Sequence, residues 1–257
     1  MLNPNKEAER LDNNTVQLAQ CPICASYTTL MYYMQDAKTK VKTKWYHCHC
    51  GVVWQHDPKE VVYDGNYYRR HYEGGKKWQD TSEYPVRVYA PIIEEAVYGR
   101  KALVIGLQDP YQADLLRHRG WVTFTCDRNT GLSPSDRHFA CDFETHTFDP
   151  DLRFNLIWLY QTFECFANPK QSLTKCYQLL AEDGILVVMT PNADFIHLRS
   201  PAGFQHWKRD NKFLWNPKAL GAYLERLGFL TIMCRSNMEP RFPVQDDFHA
   251  IYQKKYF

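Results

Sequence analysis

Long apolar runs are missing from this sequence. No stretch of its 257 residues approaches the roughly 18 apolar side chains that a membrane-spanning helix needs, so no membrane partner is expected. A leader is missing too: the opening MLNPNKEAER is polar and has no apolar segment, which points to a cytoplasmic protein. Net charge is nearly absent, 31 Lys and Arg against 29 Asp and Glu leaving +2. Charge balance therefore neither requires nor excludes a nucleic-acid partner. Internal repeats and low-complexity tracts are also lacking, which argues against solenoids and disordered tails.

Glycine is scarce, 12 residues in all, and the scarcity matters most at one place. In ALVIGLQDPYQADLLRHRGW, from Ala102 to Trp121, an apolar strand meets a single glycine, Gly106. A helical pattern then runs from Pro110 to Arg119, with Asp109 suited to its N-cap and Pro110 to its first position. Nucleotide-binding turns of this strand–turn–helix kind commonly hold two or three glycines, because backbone must come close to the cofactor.

Cysteine and aromatics, by contrast, are present in quantity. Aromatics at 15% and hydrophobics at 44% supply a packed core. Nine cysteines in a reducing compartment read as thiols or metal ligands rather than disulfides. Cys126, Cys141, Cys165, Cys176 and Cys234 lie in apolar segments and read as small buried hydrophobes. The other four are clustered: CPIC holds Cys21 and Cys24, and YHCHCG holds His47, Cys48 and Cys50. Two ligand pairs on turns, joined by a hairpin, suit a tetrahedral zinc site that staples a domain too small for its own core. His47 and Cys50 have the two-residue spacing of a knuckle and end in Gly51, so the expected set is Cys21, Cys24, His47 and Cys50. Cys48 is the rival to His47. Such a site is structural, since protein fills all four positions. The adjoining TKVKTKWYH is basic with aromatics, which keeps a nucleic-acid role for the hairpin open; a solvated hairpin face explains the lysines equally well.

The chain divides into a zinc-ribbon domain over 1–57, a tyrosine-rich connector and helix over 58–100, and an α/β domain over 101–257. Tyr63, Tyr67, Tyr68 and Tyr72 in the connector lie at near-helical spacing, suited to packing or to a lid over a ligand. YAPIIEEAVYGRK reads as a short amphipathic helix ending at Gly99. Beyond ALVIG, the segments WVTFTCD, HFACDF, FNLIWLY and GILVVMTPN read as strands, and FLTIMCRS with FHAIYQKK as two closing strands. Helices are expected over about 168–180 and 217–227. Seven strands alternating with helices imply a mostly parallel sheet covered on both faces, with ligands at the carboxyl ends of the strands.

FNLIWLYQTFECFANPKQSL followed by LLAEDGILVVMTPNADF resembles the fourth and fifth motifs of class I S-adenosylmethionine-dependent methyltransferases. GFQHW and KFLWNPKALGAYLERLGF are similar to the segment that follows in the same proteins, and CPIC, HCHCGVVW and YDGNYYRRHY resemble the zinc-ribbon preface of a bacterial subset linked to glycan or small-metabolite methylation. The resemblance implies a Rossmann-like seven-stranded sheet, S-adenosylmethionine as cofactor, and a small-molecule, glycan or biopolymer acceptor. By the same resemblance, Gly106, Leu107 and Gln108 lie under the methionine and ribose, and Asp127 hydrogen-bonds the ribose hydroxyls. Asp142 and Phe143 flank the adenine. Tyr160 and Gln161 stand near the methyl group and substrate. Glu164, Tyr68 and His206 are the candidates for a base, with Glu164 and Tyr68 preferred. The sequence departs from the family pattern at Val104, where an acidic residue is usual, at Gln108 and Pro110, which replace glycines, and at Asn155, Gln161 and Cys165. Those departures define a second reading: a methyltransferase-fold protein without chemistry, serving as a binding or structural component among protein partners.

Overall fold

The computed structural model describes residues 18–35, 40–58, 75–106, 110–128, 137–198, 204, 206–236 and 247–255. Its centre is a seven-stranded sheet. In chain order the strands are β6 (Lys101–Ile105), β7 (Val122–Asp127), β8 (His138–Ala140), β9 (Phe154–Tyr160), β10 (Leu180–Pro191), β12 (Phe229–Ser236) and β13 (Asp247–Lys254). They lie side by side as β12-β13-β10-β9-β6-β7-β8. The five from β8 to β10 are parallel, while β13 enters antiparallel between β10 and β12.

Period-2 alternation explains why the central strands are apolar throughout. Ala102 and Val104 of β6 face one layer, and Leu103 and Ile105 the other. The first layer contains helices α1 (Gly75–Ala96) and α2 (Pro110–His118); the second contains α3 (Pro169–Leu179) and α5 (Pro217–Arg226), with the short α4 (Phe195–Leu198) between them in sequence. Asn168 and Asn216 cap α3 and α5, each followed by proline at the first position, as the sequence signals require.

The structure differs from the sequence reading in the connector. The expected short helix starts much earlier, at Gly75, and runs through Pro85 and Pro91. An interior proline costs about 3 kcal/mol in lost hydrogen bonding and clash. Here Val86, Tyr89, Ala90 and Ile93 form one buried stripe against the sheet, and burial at about 1.5–3 kcal/mol per large side chain offsets that cost. Glu94 ties α1 to the end of α2 by a two-pronged pair with Arg119 at 2.9 and 2.7 Å. The four tyrosines from 63 to 72 lie outside the described residues.

The N-terminal strands β1 (Ala19–Gln20) and β2 (Tyr27–Thr28) form a small hairpin, and β3 (Met31–Gln35), β4 (Lys42–His47) and β5 (Val52–His56) an antiparallel sheet. That sheet gains a fourth strand from the far end of the chain: β11 (Phe213–Trp215) pairs with β5. Two further contacts fix the junction. Gly51, at φ +90°, offers its carbonyl to Asn216 N at 3.1 Å, and a side chain there would overlap the Asn216 amide. Among the described residues, no helix is long and apolar enough to cross a membrane.

Candidate functional site

The strand order reverses between β6 and β9, and a parallel sheet opens a crevice at the carboxyl ends of such strands. Gly106 follows β6 at that point with φ +75°, a conformation that glycine adopts without strain. Its amide donates to Cys126 O at 2.9 Å, while Thr162 Oγ1, just past β9, donates to Gly106 O at 3.5 Å and to Tyr160 O at 3.0 Å. A Cβ at 106 would overlap the Thr162 side chain. The one glycine of the turn is thus required by its backbone angle and by the approach of the β9 end. Leu107 and Gln108 lie outside the described residues, as does Tyr68.

Asp127 ends β7 and is 7% exposed, beside the same crevice. Asp142 follows β8. Its Oδ2 accepts from Arg128 Nη2 at 2.7 Å and its Oδ1 from the Glu144 amide at 2.9 Å, so the carboxylate is held in place from both sides. Phe143 packs inward, stacked on Phe166 with ring centroids 5.8 Å apart and Lys175 Nζ 5.4 Å from its own centroid. Lys175 in turn donates to the carbonyls of Phe143, Glu144 and His146 at 2.8–2.9 Å, which clamps this loop to α3.

At the end of β9, Tyr160 is buried and Gln161 has φ +51°, unusual for a residue with a side chain. Strain of that kind persists where surrounding contacts over-determine it. Gln161 N donates to Met189 O at 2.8 Å, and its Nε2 to Asp247 Oδ2 at 2.6 Å. His206 Nε2 lies 3.6 Å from Asp247 Oδ1. Glu164, in the 3-10 turn after β9, is buried and accepts from Thr190 Oγ1 at 2.8 Å. Burial pushes its carboxyl up to about 7. Burial acts oppositely on His206, which it holds well below the usual imidazole value. The sequence reading named Gln161 and His206 but missed Arg128, Thr162, Thr190 and Asp247. Arg128 had a signal, being next to Asp127. Asp247 had none, since only the antiparallel insertion of β13 carries it to the crevice.

The cysteine cluster is a second site. Sγ atoms of Cys21, Cys24, Cys48 and Cys50 all lie within 4.8 Å of one another. Two of the separations are 3.9 Å (Cys21–Cys50) and 3.5 Å (Cys24–Cys48). A tetrahedron with Zn–S bonds of about 2.3 Å has edges of about 3.8 Å, so the donor set fits zinc in size and in chemistry. His47 is not in the cluster. Alternation along β4 turns Tyr46 to the face of Cys21 and Cys48, while His47 points to the opposite face. There it stacks on His197 at 4.8 Å and meets Tyr32 Oη at 3.4 Å. Geometry therefore gathers Cys48, the rival ligand, in place of His47.

Residues 97–232 match the family model described as "Methyltransferase domain". No curated protein matches the sequence. Among solved structures, the chain is similar to a SAM-dependent methyltransferase from Archaeoglobus fulgidus, at 16% identity over 74% of this chain and 99% of that one, with a TM-score of 0.54. It is also similar to the 1,6-didemethyltoxoflavin-N1-methyltransferase of Burkholderia thailandensis, solved with 1,6-didemethyltoxoflavin and S-adenosylhomocysteine. That likeness has 12% identity, coverage of 87% and 100%, and a TM-score of 0.55. A third likeness is to a complex of the Haloferax volcanii Trm112 methyltransferase activator with a methyltransferase, at 14% identity, coverage of 76% and 100%, and a TM-score of 0.55. At such identities these likenesses speak for the fold alone.

Proposed function

The chain belongs to the methyltransferase-domain family, and from that premise we propose that it transfers the methyl group of S-adenosylmethionine to a small-molecule acceptor. The observation that carries the reading is the crevice between β6 and β9. Gly106 closes β6 there at φ +75°, packed against Thr162, and Asp127 presents a nearly buried carboxylate beside it. Asp127 fits the cofactor as an acceptor with two oxygens in one plane for a pair of ribose hydroxyls. Asp142, steadied by Arg128, would accept from the adenine amine, and Phe143 would back that pocket from the core. Tyr160 would line the methyl end; Leu107 and Gln108, which the family resemblance sets under the methionine and ribose, lie outside the described residues. The small-molecule class follows the Burkholderia neighbour, whose structure contains one.

When bound, S-adenosylmethionine would supply an electrophilic sulfonium methyl group. The protein's part is to orient the two reactants and exclude water. Glu164, with its carboxyl raised to about 7, takes the proton that the acceptor loses, and Thr190 holds the carboxyl in place. Tyr68, the other candidate base, lies outside the described residues. Cys21, Cys24, Cys48 and Cys50 would hold a zinc ion in a structural role, since four protein thiolates would fill its tetrahedral positions.

Calorimetric titration of the zinc-loaded chain with S-adenosylhomocysteine tests the reading. Binding is expected, and Asp127→Ala should weaken it by at least about tenfold, the loss of hydrogen bonds to a charged group. No heat from the wild-type chain would leave the reading without chemistry standing; unchanged affinity in the variant would show the cofactor placement to be wrong.

A further inference from the structure

Two cysteines outside the metal cluster meet at the cofactor crevice. Cys126 is the next-to-last residue of β7 and Cys141 directly follows β8, and their Sγ atoms are 3.5 Å apart. Asp127 comes immediately after the first and Asp142 immediately after the second. The Cys141 amide donates to Asp127 O at 2.9 Å, so the backbone beside one sulfur holds the backbone of one candidate cofactor ligand. Cys126 is 1% exposed, whereas Cys141 is only half-buried.

We propose that Cys126 and Cys141 are an oxidation site whose disulfide closes the cofactor crevice, an inference that rests on the cofactor reading given above. A disulfide needs sulfurs about 2.05 Å apart, so the two must approach by about 1.5 Å. The yielding partner is β8, the outermost strand of the sheet, held to β7 over three residues only. That movement carries Asp142 toward β7 and turns the carboxylate of Asp127, at the two points where ribose and adenine are held.

The chemistry balances with a small-molecule disulfide of the oxidised-glutathione class. The hydrogen bond from Cys126 lowers the Cys141 thiol, and the same bond together with burial raises Cys126. Cys141 is therefore both the more accessible sulfur and the more acidic of the two, and its thiolate form is the nucleophile. It attacks one sulfur of the small disulfide, forming a mixed disulfide and expelling one thiolate. Cys126 then gives up its proton and attacks Cys141 Sγ, and the second small thiol leaves. Two protein thiols become one disulfide, and the reagent is reduced to two thiols.

The test uses the full zinc-loaded chain, reduced or treated with oxidised glutathione. Peptide mapping without reductant should find a Cys126–Cys141 link. S-adenosylhomocysteine should bind the oxidised chain at least about tenfold more weakly than the reduced chain, with full recovery after dithiothreitol. Cys141→Ser, and independently Cys126→Ala, should bind like the reduced chain and be insensitive to the oxidant. A missing link, or linked protein that binds as tightly as reduced protein, would overturn the proposal. Failure of the reduced chain to bind would instead overturn the cofactor reading, and the gating role with it, while the mapped link would be read independently.

Discussion

Replacing Glu164 by glutamine isolates the energetic consequence of burying a carboxyl beside the crevice. Glu164 is 2% exposed, and desolvation raises its carboxyl from 4.5 to about 7. Between those values the native chain keeps the proton and the unfolded chain has released it. The unfolded state then binds fewer protons, so this side chain's contribution to stability is complete below about pH 4.5 and declines as pH rises through about 7. The interval from 4.5 to about 7, at about 1.36 kcal/mol per pH unit, amounts to about 3 kcal/mol. His249, pushed down to about 4 by burial, and His206, lowered in the same way, act in the opposite sense: each adds stability as pH rises toward the ordinary imidazole value. Those contributions are common to wild type and variant and cancel in the difference. Glutamine keeps an oxygen for the Thr190 hydroxyl, so the packing is conserved. Urea unfolding of both proteins between about pH 4 and pH 8 supplies the measurement. Glu164→Gln should gain about 3 kcal/mol on wild type across that range. Parallel stability curves would refute a raised Glu164 and, with it, its suitability as a proton acceptor near neutrality.

Other consequences are tested more briefly. Elemental analysis should find about one zinc per chain in wild type and in His47→Ala, and loss of the metal on dialysis of Cys48→Ser; the reverse pattern would return His47 to the ligand set. Gly106→Ala should destabilise by about 1–3 kcal/mol, from a positive φ and from overlap with Thr162. Adding Thr162→Ala should recover the steric part alone, and a thermal-melt cycle that shows strict additivity would contradict the contact.

Much of the architecture was legible because it rests on local signals. Apolar runs of four to seven residues punctuated by turns marked β6, β9 and β10, and Asn followed by Pro marked the starts of α3 and α5. Gly106 and Asp127 stood out as the residues that close strands of that kind. The connector was less legible. The segment from Tyr89 reads as a short helix, yet the helix begins at Gly75 and forms through Pro85 and Pro91 because its buried stripe lies against the sheet, an energy that no local window contains.

The amino-acid sequence by itself determined that the chain makes a mostly parallel α/β sheet with a cysteine-rich preface, because periodicity and residue spacing are properties of neighbours along the chain. Only the tertiary structure decided which residues meet. Strand alternation over β4 turned His47 away and brought Cys48 to the other three thiols. β11, remote in sequence, completed the ribbon's sheet; β13, entering antiparallel, set Asp247 against Gln161; and the pairing of β7 with β8 placed Cys126 against Cys141. Each of these depends on register between strands far apart in the chain, and register is fixed by which faces are buried together.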